Sequence, residues 1–106
     1  MIPRVRDILA EYRARLEEIY GPRLVRLVLY GSQARGDAAP DSDIDVMIVL
    51  EGPFDHWEEI QRTSDVTDDL CLRYETLISC VFATPDQIDT RERAFYREVR
   101  REGVAF

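Results

Sequence analysis

The chain contains no lysine: all fourteen of its basic residues are arginines. That excludes a Walker A phosphate-binding lysine, a Schiff-base lysine and a lysine general base. It has one histidine, His56, and two cysteines, Cys71 and Cys80, which form no CxxC pattern. These are too few soft ligands for a zinc site. Both cysteines are expected to be reduced and partly buried, as small apolar residues often are. His56, just after Asp55 at a helix start, is expected to be exposed. There is no signal-peptide pattern and no long apolar run, so a cytoplasmic protein without a membrane segment is expected.

What is present is acid. The net charge is −7, and it is unevenly placed. Residues 1–36 carry seven Arg against four acids, residues 37–89 two Arg against fourteen acids, and residues 90–106 five Arg against three acids. An acidic middle argues against a nucleic-acid surface, which would show a basic stripe. It suits a site that collects divalent cations, although most of these acids read simply as a solvated face. The length of 106 residues suits one domain, 1–106, and 45% hydrophobic residues suffice for a core.

Periodicity predicts a helix over 3–20, with Ile2, Val5, Ile8, Leu9, Tyr12, Leu16 and Ile19 at three- and four-residue steps. Pro3 suits its first turn and Gly21-Pro22 ends it. Short apolar runs predict strands at 24–30 and 44–50. The second is almost wholly apolar and so expected to be central and covered on both faces, with Asp45 its one internal charge. A second long helix is predicted over 55–73, with an inner stripe of Trp57, Ile60, Ser64, Thr67, Leu70, Cys71 and Tyr74. A third strand is predicted over 75–83. Thr84 to Gln87 reads as a capping box opening a short helix. A last helix over 90–102 is expected to end at Gly103 in a left-handed cap. The order α-β-β-α-β-α predicts an α/β (α+β) fold, a sheet with helices packed on it.

Two features carry chemistry. In an extended Asp43-Ile44-Asp45, alternate side chains share a face, so both carboxylates point the same way with α-carbons roughly 6.5–7 Å apart. Such a pair repels itself unless a cation lies between, and hard oxygen ligands suit Mg²⁺. The alternative makes Asp43 a loop residue and pairs Asp45 with an arginine. The second feature is Gly31-Ser32, after a predicted strand and before a predicted helical turn. Glycine admits close backbone approach, and N–H groups opening a helix favour an anion. The alternative is an ordinary tight turn. Asp43 lies eleven positions after Ser32, so one site would serve nucleotide phosphates and their Mg²⁺ together.

Residues 27–50, Leu-Val-Leu-Tyr-Gly-Ser-Gln-Ala-Arg-Gly-Asp-Ala-Ala-Pro-Asp-Ser-Asp-Ile-Asp-Val-Met-Ile-Val-Leu, resemble the signature of the DNA polymerase β-like nucleotidyltransferase superfamily. More closely, they resemble the minimal nucleotidyltransferases, or MNT proteins. Gly-Ser, Ala-Arg-Gly and Ser-Asp-Ile-Asp before an apolar strand match in order and spacing; beyond these 24 residues the likeness is looser.

The resemblance implies a mixed β-sheet with helices on it. It implies transfer of a nucleoside monophosphate, AMP from ATP being favoured, to an acceptor hydroxyl with release of pyrophosphate. Asp43 and Asp45 would hold two Mg²⁺, and Gly31 and Ser32 would bind the triphosphate. Arg35 either touches phosphate or satisfies an acidic neighbour. A third carboxylate on a neighbouring strand is usual in the superfamily, and Glu75 is the candidate here as a third metal ligand and catalytic residue. Many MNT proteins pair, as antitoxins, with a helical HEPN toxin that they adenylylate. A partner supplying the acceptor is therefore implied. The alternative is a degenerate module that neutralises its partner by masking it.

Overall fold

The structure is a computed structural model, and it describes residues 3–39 and 42–106. Ile2, assigned above to the first helix's stripe, and the loop residues Pro40 and Asp41 lie outside them.

Helix α1 spans Pro3–Tyr20 and is followed by a single 3-10 turn, Gly21–Arg23. Strand β1 is Leu24–Tyr30, and α2 is one turn, Ser32–Arg35. Strand β2 is Ile44–Leu50 and α3 is His56–Arg73. Then come β3 (Ile78–Ala83), α4 (Pro85–Thr90), α5 (Ala94–Glu102) and the two-residue strand β4 (Val104–Ala105). The sheet order is β3-β2-β1-β4. β1 runs antiparallel to β2 and β4, whereas β2 and β3 are parallel, joined by a crossover through α3. The sheet is mixed, as expected.

β2 is an interior strand, and both its faces are covered. On one face Leu27, Leu29, Ile44, Val46, Ile48, Ile78 and Phe82 meet Val5, Ile8, Tyr12 and Leu16 of α1 and Val66 and Leu70 of α3. On the other Val28, Met47, Val49 and Ala83 meet Ile88 of α4 and Val99 of α5. The alternation of side chains along each strand makes this division.

Four expectations are corrected. The inner face of α3 is Glu59, Thr63, Val66 and Leu70; Trp57 and Ile60 are exposed. The apolar period misplaces the start of the stripe because an inward position is polar: Glu59 is buried between Tyr20 and Arg62. The third strand begins at Ile78, not at residue 75, since Tyr74 and Glu75 form the turn that ends α3. The last helix begins at Ala94, after α4 closes at Thr90. Gly103 is extended (φ −65°, ψ 144°), not left-handed. Its lack of a side chain serves close packing: a Cβ there would lie 2.4 Å from the Val99 carbonyl oxygen and 2.5 Å from Val28 Cγ1.

The capping box is present in full. Thr84 Oγ1 accepts from the Gln87 N–H, and Gln87 Oε1 accepts from the Thr84 N–H. Cys71 and Cys80 are free and partly buried, and burial pushes the Cys80 thiol up. His56 is exposed and within hydrogen-bond distance of the Phe82 carbonyl. No helix among the described residues is long and apolar enough to cross a membrane.

Candidate active site

The site lies where β1 ends and β2 begins. Register places Tyr30 opposite Asp45 and Asp45 level with Ser79. Side chains level across neighbouring strands share a face. Tyr30, Asp45 and Ser79 therefore form one row, on the face that α4 and α5 cover further along. Asp43, the residue before β2 begins, lies near enough for its charge to act on Asp45.

Gly31 fits this row by having no side chain. Its φ is 75°, a region that favours glycine, and a Cβ would lie 2.4 Å from Asp45 Oδ2. The Asp45 carboxylate thus rests against the Gly31 backbone. The chain then closes one helical turn. The Ala34 and Arg35 N–H groups both donate to the Gly31 carbonyl, and Gly36 leaves the turn at φ 83°. The Ser32 and Gln33 N–H groups open the turn without intrahelical acceptors. Gln33 is buried, and its Nε2 donates to the Ser42 carbonyl at 3.2 Å. This bond fastens the turn to the segment carrying Asp43. On the far side the Ile44 N–H donates to the Leu77 carbonyl at 2.9 Å and ties the start of β2 to the approach of β3.

The electrostatics are those of an incomplete site. Burial pushes the Asp45 carboxyl above the usual carboxylate range, repulsion from Asp43 adds to this, and Arg35 opposes it. Neither Asp43 nor Asp45 accepts a side-chain hydrogen bond or an ion pair from another described residue. The Tyr30 phenol is pushed up to about 12 by burial and then by Asp45. Phe95 meets the Tyr30 ring edge-on at 5.6 Å between centroids. Tyr30 and Ser79 are not singled out by the sequence. The signal that finds them is strand register, which a single sequence does not print.

Arg35 is exposed and engaged, with Nε 3.2 Å from Asp37 Oδ2 and Nη1 3.1 Å from Glu102 Oε2. It links α2 to the end of α5, and meeting a phosphate would mean exchanging those partners. Glu75 stands apart. It lies in the turn after α3, exposed, with a left-handed φ of 50°, three residues before β3 begins. Among the described residues no group of three His, Cys, Asp or Glu side chains could hold a metal ion, so Glu75 does not join Asp43 and Asp45 in one. The donor set present, two hard carboxylates beside an anion-accepting turn, fits a divalent ion such as Mg²⁺ whose remaining ligands are water and nucleotide phosphate.

Comparison with known proteins agrees with this geometry. The family model described as "Nucleotidyltransferase domain" matches residues 9–99. A Methanocaldococcus jannaschii protein bearing the name "Putative protein adenylyltransferase" is 31% identical over 94 residues, 88% of each chain. A solved toxin–antitoxin structure with AMP-PNP shares the fold at a TM-score of 0.61 and 17% identity, over 89% of this chain and 68% of that one. A structure described as a putative nucleotidyltransferase from Sulfolobus solfataricus shares it at a TM-score of 0.59 and 18% identity, over 100% of this chain and 87% of that one. With Gly31-Ser32 and Asp45 meeting where two interior strands of a mixed sheet end and begin, and with a family match over most of its length, the chain belongs to the nucleotidyltransferase domain family.

Proposed function

We propose that the chain binds ATP with Mg²⁺ at Asp43 and Asp45 and transfers AMP to a hydroxyl group of a partner protein. The observation that carries this reading is the Asp45 carboxylate, held against Gly31 and near Asp43, with no ion pair to either from the described residues. The Ser32 and Gln33 N–H groups would receive a phosphate oxygen, and Gly31 lets that phosphate come close to the backbone. Asp43 and Asp45 would orient the metal-bound triphosphate. Bound Mg²⁺ would supply neutralisation of the phosphate charge. The acceptor oxygen attacks the α-phosphorus, the bond to the leaving pyrophosphate breaks in line, and the acceptor proton is released. Arg35 would turn from Asp37 and Glu102 toward phosphate.

The relative named as a protein adenylyltransferase and the toxin–antitoxin neighbour support a protein acceptor. A helical toxin of the HEPN type is the partner we propose, with this chain as its antitoxin. The acidic stretch 37–89 would meet a basic partner surface.

The test is a calorimetric titration of ATP, GTP, CTP and UTP, with and without Mg²⁺. We expect Mg²⁺-dependent binding of ATP, abolished in Asp43→Ala/Asp45→Ala. No binding by the unaltered chain overturns the reading. A second reading, neutralisation by masking alone, is favoured by the lack of a three-ligand metal group among the described residues. The same double variant separates the two. If it still binds the partner but no longer neutralises it, the enzyme reading stands. Unchanged neutralisation selects masking.

A further inference from the structure

We propose that Ser79 occupies the third metal-facing position of the site, and that its hydroxyl, standing where a carboxylate would complete a three-ligand set, makes divalent-ion binding by this chain depend on the nucleotide. This rests on the reading of Asp43 and Asp45 as metal ligands.

The position follows from sheet register. β2 and β3 are parallel, with Ile44 level with Ile78, Asp45 with Ser79, and Val46 with Cys80. Neighbouring strands lie about 4.8 Å apart, and level residues point to the same side. The faces are fixed independently by packing. Ile78 and Phe82 are buried with Ile44 and Ile48 against α1 and α3. Ala83 and the partly buried Val81 pack with Met47 and Val49 on the opposite face. Ser79 shares that second face, and there it is the exposed member of β3. Its side chain is therefore the β3 neighbour of the Asp45 carboxylate.

The nearest acid in sequence does not take this place. Glu75 lies four residues earlier, exposed, in a left-handed turn. A serine hydroxyl is neutral and attracts a dication far less than a carboxylate does. Mg²⁺ keeps its waters and binds through one or two carboxylates plus substrate phosphates. With Asp43 and Asp45 the acids that the described residues bring to this place, metal and triphosphate arrive as one ligand.

The test is a titration of Mn²⁺, a hard ion of similar preference, alone and again with ATP present, into the unaltered chain and into Ser79→Asp and Ser79→Asn, each also melted with and without Mn²⁺. Binding of Mg²⁺ATP by the unaltered chain is measured alongside. We expect weak nucleotide-free Mn²⁺ binding by the unaltered chain and by Ser79→Asn. Ser79→Asp should bind about tenfold tighter or better and be the one variant whose melting temperature rises markedly with Mn²⁺. If Ser79→Asp binds Mn²⁺ no better while the unaltered chain binds Mg²⁺ATP, this inference falls alone. The same holds if the unaltered chain binds Mn²⁺ equally tightly with and without ATP. If the unaltered chain does not bind Mg²⁺ATP at all, the inference falls together with the reading beneath it.

Discussion

Two carboxylates sit inside the apolar framework of this molecule, and the chain treats them differently. Glu59 on α3 is 2% exposed. Its Oε1 accepts from the Tyr20 hydroxyl at 2.8 Å and from Arg62 Nε at 3.0 Å. Asp45 on β2 is partly buried, faces a second carboxylate and rests on a glycine. The first is answered from within the chain, so it belongs to the architecture. The second receives no side-chain hydrogen bond or ion pair from the described residues, only the distant charge of Arg35, as befits a group reserved for something that binds. Tyr20 shows the same contrast with Tyr30. Both phenols are raised first by burial, but Tyr20 is raised also by the hydrogen bond it gives Glu59, whereas Tyr30 merely borders the Asp45 charge.

The comparison breaks most visibly at Glu59. Glu59→Ala strands the Tyr20 hydroxyl and leaves Arg62 without its buried anion. It should lower stability by about 2–4 kcal/mol in urea unfolding, less than for a fully buried pair because Arg62 is partly exposed. Nucleotide affinity should survive. Gly31→Ala should strike the site as well as the fold. Its φ of 75° strains an alanine, and the Cβ displaces Asp45. Stability should fall by about 1–3 kcal/mol, and calorimetry should find no nucleotide binding.

Asp45→Asn should raise the stability of the metal-free protein by about 1 kcal/mol or less, solvent screening limiting the gain. The sign follows from the raised carboxyl. The folded state holds the Asp45 proton more firmly than the unfolded state, so its charge opposes folding as pH rises. The gain of the variant should vanish at pH values below the ordinary carboxylate pKa and grow as pH rises through the raised pKa of the folded state, a pattern that thermal melts across pH check. The smallest effect is expected at Glu75. Glu75→Gln should change stability by less than about 0.5 kcal/mol and leave Mg²⁺ATP affinity unchanged, whereas a tenfold loss would return this residue to the site.

The parts of the fold that were legible are those with strong periods. The bounds of α1, β1 and β2 and the capping box at Thr84 are found where the sequence puts them. What failed had a physical reason in each case. The run from Glu75 to Ala83 reads as one strand because the left-handed turn at Glu75 carries no glycine to mark it. Trp57 and Ile60 read as core because a polar residue, Glu59, holds the inward position. Two residues are too few to announce β4, and Gly103 serves close packing against Val28 and Val99, not a helix cap. Ser79 was invisible because its place beside Asp45 exists only once β3 is set parallel to β2.

The most direct measurement is the melting temperature of the unaltered chain and of Asp45→Asn, each with EDTA and ATP and then with Mg²⁺ and ATP. The account predicts a crossing. The variant melts higher without metal. With Mg²⁺ATP at about a hundred times its dissociation constant, the unaltered chain gains about 2.7 kcal/mol and melts higher than the variant. If Mg²⁺ATP moves neither protein, or moves both equally, Asp45 is not the group that receives the metal-bound nucleotide and the account is contradicted.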